Sequence, residues 1–279
     1  MFSVKKWMGA AALVVAGVSV AGAALAQGAE STMDRVKRTK ELRVGTVAGA
    51  IPYFSKDLVT QKWEGFGPDF GESLAKKLGV NVKFVETTWG NAVLDLQANK
   101  IDLMFAMAPT PQRMEVVNFS KPLLNNTFTA VCKKGHAPVQ TWEQLNNPDA
   151  KVVVDIGSNQ DQFATRALPK ANISRLESSG AATMSVQTGR SDCQVLVVLL
   201  SQPLVAKRPD VGTVYVPTPV ETANTNVGLR KEPNKDFENA VNAWLDEARA
   251  KGEIQSVVLK NMEKLAGVKA DSFPKEVKF

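Results

Sequence analysis

The residues best placed to do chemistry follow an apolar run. Ile101-Asp102-Leu103-Met104-Phe105 reads as a short buried strand, and Ala106-Met107-Ala108-Pro109-Thr110-Pro111-Gln112-Arg113 comes straight after it, with Asn118-Phe119-Ser120-Lys121-Pro122 close behind. A buried strand that opens into Thr-Pro and then a basic residue marks a strand end, a helix cap and a charge facing a cleft. The chemistry on offer is anion capture, because a guanidinium presents a planar fork that matches two carboxylate oxygens. We expect Arg113 to grip the carboxylate of a small ligand; the competing reading is a solvated helix arginine.

Other reactive sets are absent from the sequence. His136, the single histidine, lies in a Gly-His-Ala-Pro turn with no acid nearby in sequence, and Val195–Leu200 offers no carboxylate. There is no His/Cys/Asp cluster with metal spacing, no nucleophile elbow and no phosphate loop. The expectation is therefore a non-enzyme with no metal and no cofactor. Cys132 and Cys193 are two thiols that permit one disulfide or serve as buried small residues on strands, and both readings stay open.

Stepping outward from these residues, Lys5 and Lys6 precede an uncharged Ala/Gly/Val-rich run from Trp7 to Ala26 that ends Ala24-Leu25-Ala26. A basic start, an apolar middle and a small-x-small end read as an export signal over 1–26, cleaved near Ala26, with delivery to the periplasm. The alternative is an uncleaved anchor, since the run is long enough to span a bilayer. No Cys follows Ala26, so a lipid anchor has no attachment residue. Loss of the two lysines takes the formal charge from +6 to +4. The basic residues are scattered and not interleaved with aromatics, which argues against nucleic acid as a partner. At 279 residues, 44% hydrophobic and 22% charged, the chain is globular in composition and has no long repeat.

The elements that must position Arg113 follow from periodicity. Residues 27–37 read as a polar tether into a short helix, Met33 to Lys40. Strands are expected at 42–47, 80–85 and 101–105, with helices from Asp69 to Leu78 and around Ala92 to Ala98 between them. The pattern restarts with strands at 128–132, 151–156, 173–176 and 193–200, a helical turn at 142–145, and helices at 160–168 and 181–188. A return strand at 227–230 leads into an amphipathic helix carrying Phe237, Val241, Trp244, Leu245 and Ala248 on one face. Strand and helix in alternation give an α/β fold with mostly parallel sheets flanked by helices.

Taken in order, Leu42-Arg43-Val44-Gly45, Gly65-Phe66, Leu78-Gly79-Val80, Trp89, Lys100-Ile101-Asp102-Leu103, Thr110-Pro111-Gln112-Arg113, Asn118-Phe119-Ser120-Lys121-Pro122, Gly189-Arg190-Ser191-Asp192 and Val227-Gly228-Leu229-Arg230-Lys231 form a set. This set resembles the extracellular solute-binding proteins of polar amino-acid ABC importers over nearly all of residues 40–265. The resemblance implies a two-lobed periplasmic-binding-protein fold whose lobes, 38–125 plus 223–279 and 126–222, are joined by two hinge strands and close on a ligand. It implies a monomer whose partners are a small-molecule carboxylate and a membrane permease. Arg113 would pair with the ligand α-carboxylate. Gly157-Ser158-Asn159 would meet the same group with a hydroxyl and backbone N–H groups at a helix start, against plain N-capping by Ser158. Trp89 would lie against the ligand side chain, against a core role.

Departures from the family pattern also matter. The acid expected to hold the ligand ammonium is Val197, the hydroxyl residue that assists it is Ala108, and Val47 and Ala50 stand where acidic or aromatic residues are common. An ammonium buried without acceptors costs several kcal/mol. The cleft along Ala106–Arg113 therefore suits a carboxylate without the usual α-ammonium, or an ammonium held by Asp155; the alternative for Asp155 is a strand end at the surface. Competing functions are a ligand-binding sensor or adaptor domain and, on the same fold, a dehydratase acting on carboxylated rings.

Overall fold

The structure, a computed structural model, describes residues 30–269 and Asp271. The expected export signal, its cleavage site and residues 27–29 lie outside the described residues. No helix among the described residues is long and apolar enough to cross a membrane.

The first half runs α1 (Thr32–Thr39), β1 (Glu41–Val47), β2 (Ser55–Lys56), β3 (Trp63–Glu64), α2 (Phe66–Leu78), β4 (Asn81–Thr87), α3 (Ala92–Gln97), β5 (Leu103–Met107), α4 (Pro111–Val116) and β6 (Val117–Phe119). The second half contains β7 (Leu124–Cys132), a 3-10 turn at Trp142–Leu145, β8 (Lys151–Asp155), α5 (Asn159–Ala167), β9 (Asn172–Leu176), α6 (Ser179–Gln187), β10 (Cys193–Val197), α7 (Val198–Lys207) and β11 (Thr213–Tyr215). The chain returns through β12 (Thr222–Arg230) and ends in α8 (Asp236–Ala250) and α9 (Glu253–Ala266).

Two parallel three-strand groups result. β1 pairs in parallel with β4 and β5, and β8 pairs in parallel with β9 and β10. Between them lie β12 and β7, paired antiparallel from Thr222↔Thr127 to Thr225↔Leu124. β12 continues against β5 and β6, while β7 continues against β10 and β11. Two long strands thus carry the chain from one group to the other, and each group has its own aromatic cluster. Phe70, Phe105 and Trp244 meet with ring centroids 5.7–5.8 Å apart in the first. Phe128 stacks on Phe163 at 4.1 Å, with Trp142 edge-on, in the second.

Several boundaries differ from expectation for physical reasons. The segment read as a tether over 27–37 contains most of α1, which Ser31 caps and which buries Met33 and Val36; its Arg35 pairs with buried Asp102, which Arg43 also reaches at 2.7 Å. α2 starts at Phe66 rather than Asp69, because Gly65 supplies the φ of +124° that the entry needs and Pro68 is tolerated in a first turn. The apolar run from Cys193 to Leu200 is not one strand: β10 ends at Val197 and α7 begins at Val198. A continuous apolar run has no period that separates buried strand from buried helix. Cys132 and Cys193 stand directly opposite each other in the β7–β10 register and form a disulfide.

Candidate functional site

The site begins at the end of β5. Asn226 pairs with Met107 and Gly228 with Met104, so Phe105 and Ala106 together face Val227 across a bulge. Ala106 takes φ +60°, a left-handed conformation an alanine adopts only when the surroundings hold it there. Beyond the bulge, the Thr110 side chain accepts from Arg113 N at 3.4 Å and Pro111 fills the first helical position, so α4 starts with Arg113 in its first turn.

Arg113 is 4% exposed. Its Nη1 donates to Ala108 O at 3.2 Å, and its Nη2 donates to Gly157 O at 3.0 Å and Trp89 O at 3.4 Å. The guanidinium therefore reaches carbonyls of both halves. It forms no ion pair with any described residue, and burial draws its pKa down from the ordinary arginine range to about 10. It remains charged at neutral pH, as a buried cation offset only by carbonyl dipoles. That arrangement selects for an anion.

Trp89, Ala106, Ala108, Arg113, Asn159 and Val197 line one narrow cavity between the halves, although they come from separate stretches of sequence. Trp89 belongs to an aromatic wall, edge-on to Tyr53 at 6.3 Å and tilted against Phe54 at 6.2 Å. Ala108 and Val197 present only methyl groups, so neither offers an acceptor. Four lining residues were not singled out from the sequence: Tyr53, Gln160, Leu200 and Thr225. Burial pushes the Tyr53 phenol up, and its oxygen accepts from Asn126 Nδ2 on β7.

Three expected site residues take other places. Ser158 Oγ accepts from Asp161 N at 3.1 Å and caps α5. Gly157 gives its carbonyl to Arg113, while its N–H donates to Asp161 Oδ2 at 2.9 Å. Asp155 is no surface strand end: it is 7% exposed, accepts from Ser179 Oγ, and its Oδ1 has no hydrogen-bond partner among the described residues. Burial raises its pKa to about 6. Asp155 opens not onto the Arg113 cavity but onto the neighbouring cleft beyond Trp89, together with Glu86 and Glu177. His136 lies apart from both, beside the disulfide, with Nε2 3.9 Å from Cys193 Sγ. Among the described residues His136 and the two cysteines are the one group with metal-ligand spacing, and the disulfide engages two of its three ligand atoms.

The chain as a whole has known relatives. The chain is 28% identical over 249 residues to the L-cystine-binding protein TcyJ of Escherichia coli, covering 88% of this chain and 90% of that one. It is 26% identical over 229 residues to a cyclohexadienyl dehydratase of Pseudomonas aeruginosa, covering 81% and 84%. Its structure matches that of the ancestral amino acid-binding protein AncCDT-1, a precursor of cyclohexadienyl dehydratase, with a TM-score of 0.73 at 33% identity over 85% of this chain and all of that one. The two-lobed α/β architecture is common to them. The sequence pattern of the bacterial extracellular solute-binding proteins, family 3, runs through residues 42–264, and it is to that family that this chain belongs.

Proposed function

We propose that this family member is the substrate-binding component of an ABC importer, capturing a small carboxylate between its lobes and passing it to a membrane permease. The observation that carries the reading is Arg113, a buried cation without a counter-ion that touches carbonyls on both sides of the cavity. A ligand carboxylate there supplies the missing charge. Its affinity for the closed arrangement then drives closure, because a ligand shifts a two-state equilibrium only by its differential affinity for the two states. The lobes in this reading are 38–125 plus 223–279 and 126–222. The protein works as a monomer in the periplasm after loss of residues 1–26.

Ala108 and Val197 bring no carboxylate or hydroxyl to an α-ammonium in the cavity, whose polar lining besides Arg113 is the neutral Tyr53, Asn159, Gln160 and Thr225. The ligand accordingly lacks that group, or extends it past Trp89 to Asp155, whose Oδ1 has no partner among the described residues. Calorimetry with a panel of amino, keto and aromatic acids tests the proposal. Micromolar binding of acids lacking an ammonium, lost in Arg113→Ala, is the expected outcome; equal binding by Arg113→Ala overturns the site.

One observation favours a second reading, a dehydratase-like enzyme. Such chemistry needs a general acid, and Asp155 is buried with a pKa near 6. Trp89 stands between its cleft and the Arg113 cavity, which favours capture over turnover. Release of water from a bound ring acid by the purified protein decides between them.

A further inference from the structure

We propose a second subsite next to the Arg113 cavity. It takes a ring-sized apolar body of the carboxylate ligand, and Lys207 at its outer end pairs with a second anionic group. The inference rests on the carboxylate reading above and specifies what else the ligand carries.

The cavity at Arg113 measures ≈ 30 Å³, against about 10–15 Å³ for a single water, so it admits a carboxylate and little more. The rest of the ligand must lie elsewhere. Leu200 is also a wall of an adjoining cleft of ≈ 180 Å³, and an apolar cavity of about 150 Å³ accepts a benzene ring. Ile51 closes this cleft from the first half, while Leu196, Leu200, Pro203 and Leu204 line it from the second. No acidic side chain lines it.

α7 gives the subsite its direction. Leu200, Leu204 and Lys207 recur at spacings of four and three, so they share one helix face. That face runs roughly 10 Å from the Arg113 cavity to the lysine at 1.5 Å per residue. Lys207 is exposed and has no ion-pair partner among the described residues, whereas neighbouring Arg208 is engaged by Gln187. The opposite exit, past Trp89, is lined by Glu86, Asp155 and Glu177 and would repel a dianion. The chemical class that fits is an aromatic or alicyclic carboxylate, preferred when it bears a second anionic group at the far end.

Gly180 provides a way to block the cleft. It lines the subsite, and a Cβ added there meets nothing nearer than Ser178 Oγ at 3.9 Å. It also lies in the first turn of α6, where leucine is a better helix former. Calorimetric titration of wild type, Gly180→Leu and Lys207→Glu with acetate, phenylacetate and 4-carboxyphenylacetate tests the proposal, with circular dichroism melts confirming folding. Wild type should bind phenylacetate about tenfold or more tighter than acetate, and 4-carboxyphenylacetate tighter still. Gly180→Leu should erase most of the phenylacetate-over-acetate ratio, and Lys207→Glu should reverse the preference for the dianion. A wild type that binds phenylacetate no better than acetate, or a folded Gly180→Leu that keeps the wild-type ratio, overturns the subsite while leaving capture at Arg113 intact. Ring acids that bind Arg113→Ala as tightly as wild type would instead sink the carboxylate reading itself.

Discussion

Replacing Arg113 by methionine should stabilise the empty protein while removing its ligand affinity. The guanidinium is 4% exposed, and its pKa falls from the ordinary arginine range to about 10 through burial alone. At 1.36 kcal/mol per pH unit, that corresponds to roughly 3 kcal/mol of disfavoured charge in the fold. The sign follows from linkage: a depressed cation penalises the folded state at every pH below about 10, so the penalty is fully present at neutrality. Methionine fills a similar volume without the charge but leaves the carbonyls of Ala108, Trp89 and Gly157 without this donor, which returns part of the gain. We expect a net gain of about 1–2 kcal/mol, or about 2–8 °C in Tm for a domain of this size. Loss of a charge-assisted carboxylate contact should weaken acid binding by about a hundredfold. Thermal melts without ligand, paired with calorimetry, check both halves. A variant that melts lower than wild type and still binds acids would refute the argument, because Arg113 would then be a structural clasp rather than an anion trap.

Two further outcomes follow from the same geometry. Asp155 has its pKa raised to about 6, so its protonated form favours the fold; stability from this group is full below about pH 4 and is lost as pH rises through 6. Asp155→Asn should exceed wild type by on the order of 1–2 kcal/mol at pH 7.5 and show no advantage at pH 4, as read from urea melts at both values; equal differences at the two pH values would count against it. Gly65→Ala should cost more than about 2 kcal/mol, because its φ is +124° and a Cβ would come within 2.5 Å of Tyr53 O, beside the cavity wall. A Tm within a degree of wild type would show that this turn is not held as described.

Much of the architecture was legible because it rests on patterns that local sequence carries. The Phe70, Leu74 and Leu78 spacing, the Thr110-Pro111 start and the Ser158 cap each specify an element through contacts a few residues apart. Arg113 was named from its residue type and setting, whereas Ala108 and Val197 were named only through the family resemblance; all three line the same cavity. Tyr53 and Thr225 were missed because one sits in a loop tied to β7 through Asn126 and the other on a crossing strand whose pairing with β7 brings it to the cavity. Leu200 was missed for a sharper reason. Within an unbroken apolar run its neighbours do not reveal that the strand ends at Val197, and reading it as strand hides the helix face it shares with Leu204 and Lys207. Asp155 was named as a candidate acceptor, but its direction could not be read from sequence: Trp89 lines both interlobe cavities, and Asp155 lines the one away from Arg113.

The central claim is that this protein recognises a negative charge at Arg113. It is tested most directly by titrating the protein with the tightest-binding acid of the panel and with the primary amide of that acid, which keeps the shape but loses the charge. The account predicts an amide at least about a hundredfold weaker, with the difference gone in Arg113→Met. An amide that binds wild type as tightly as the acid would contradict it.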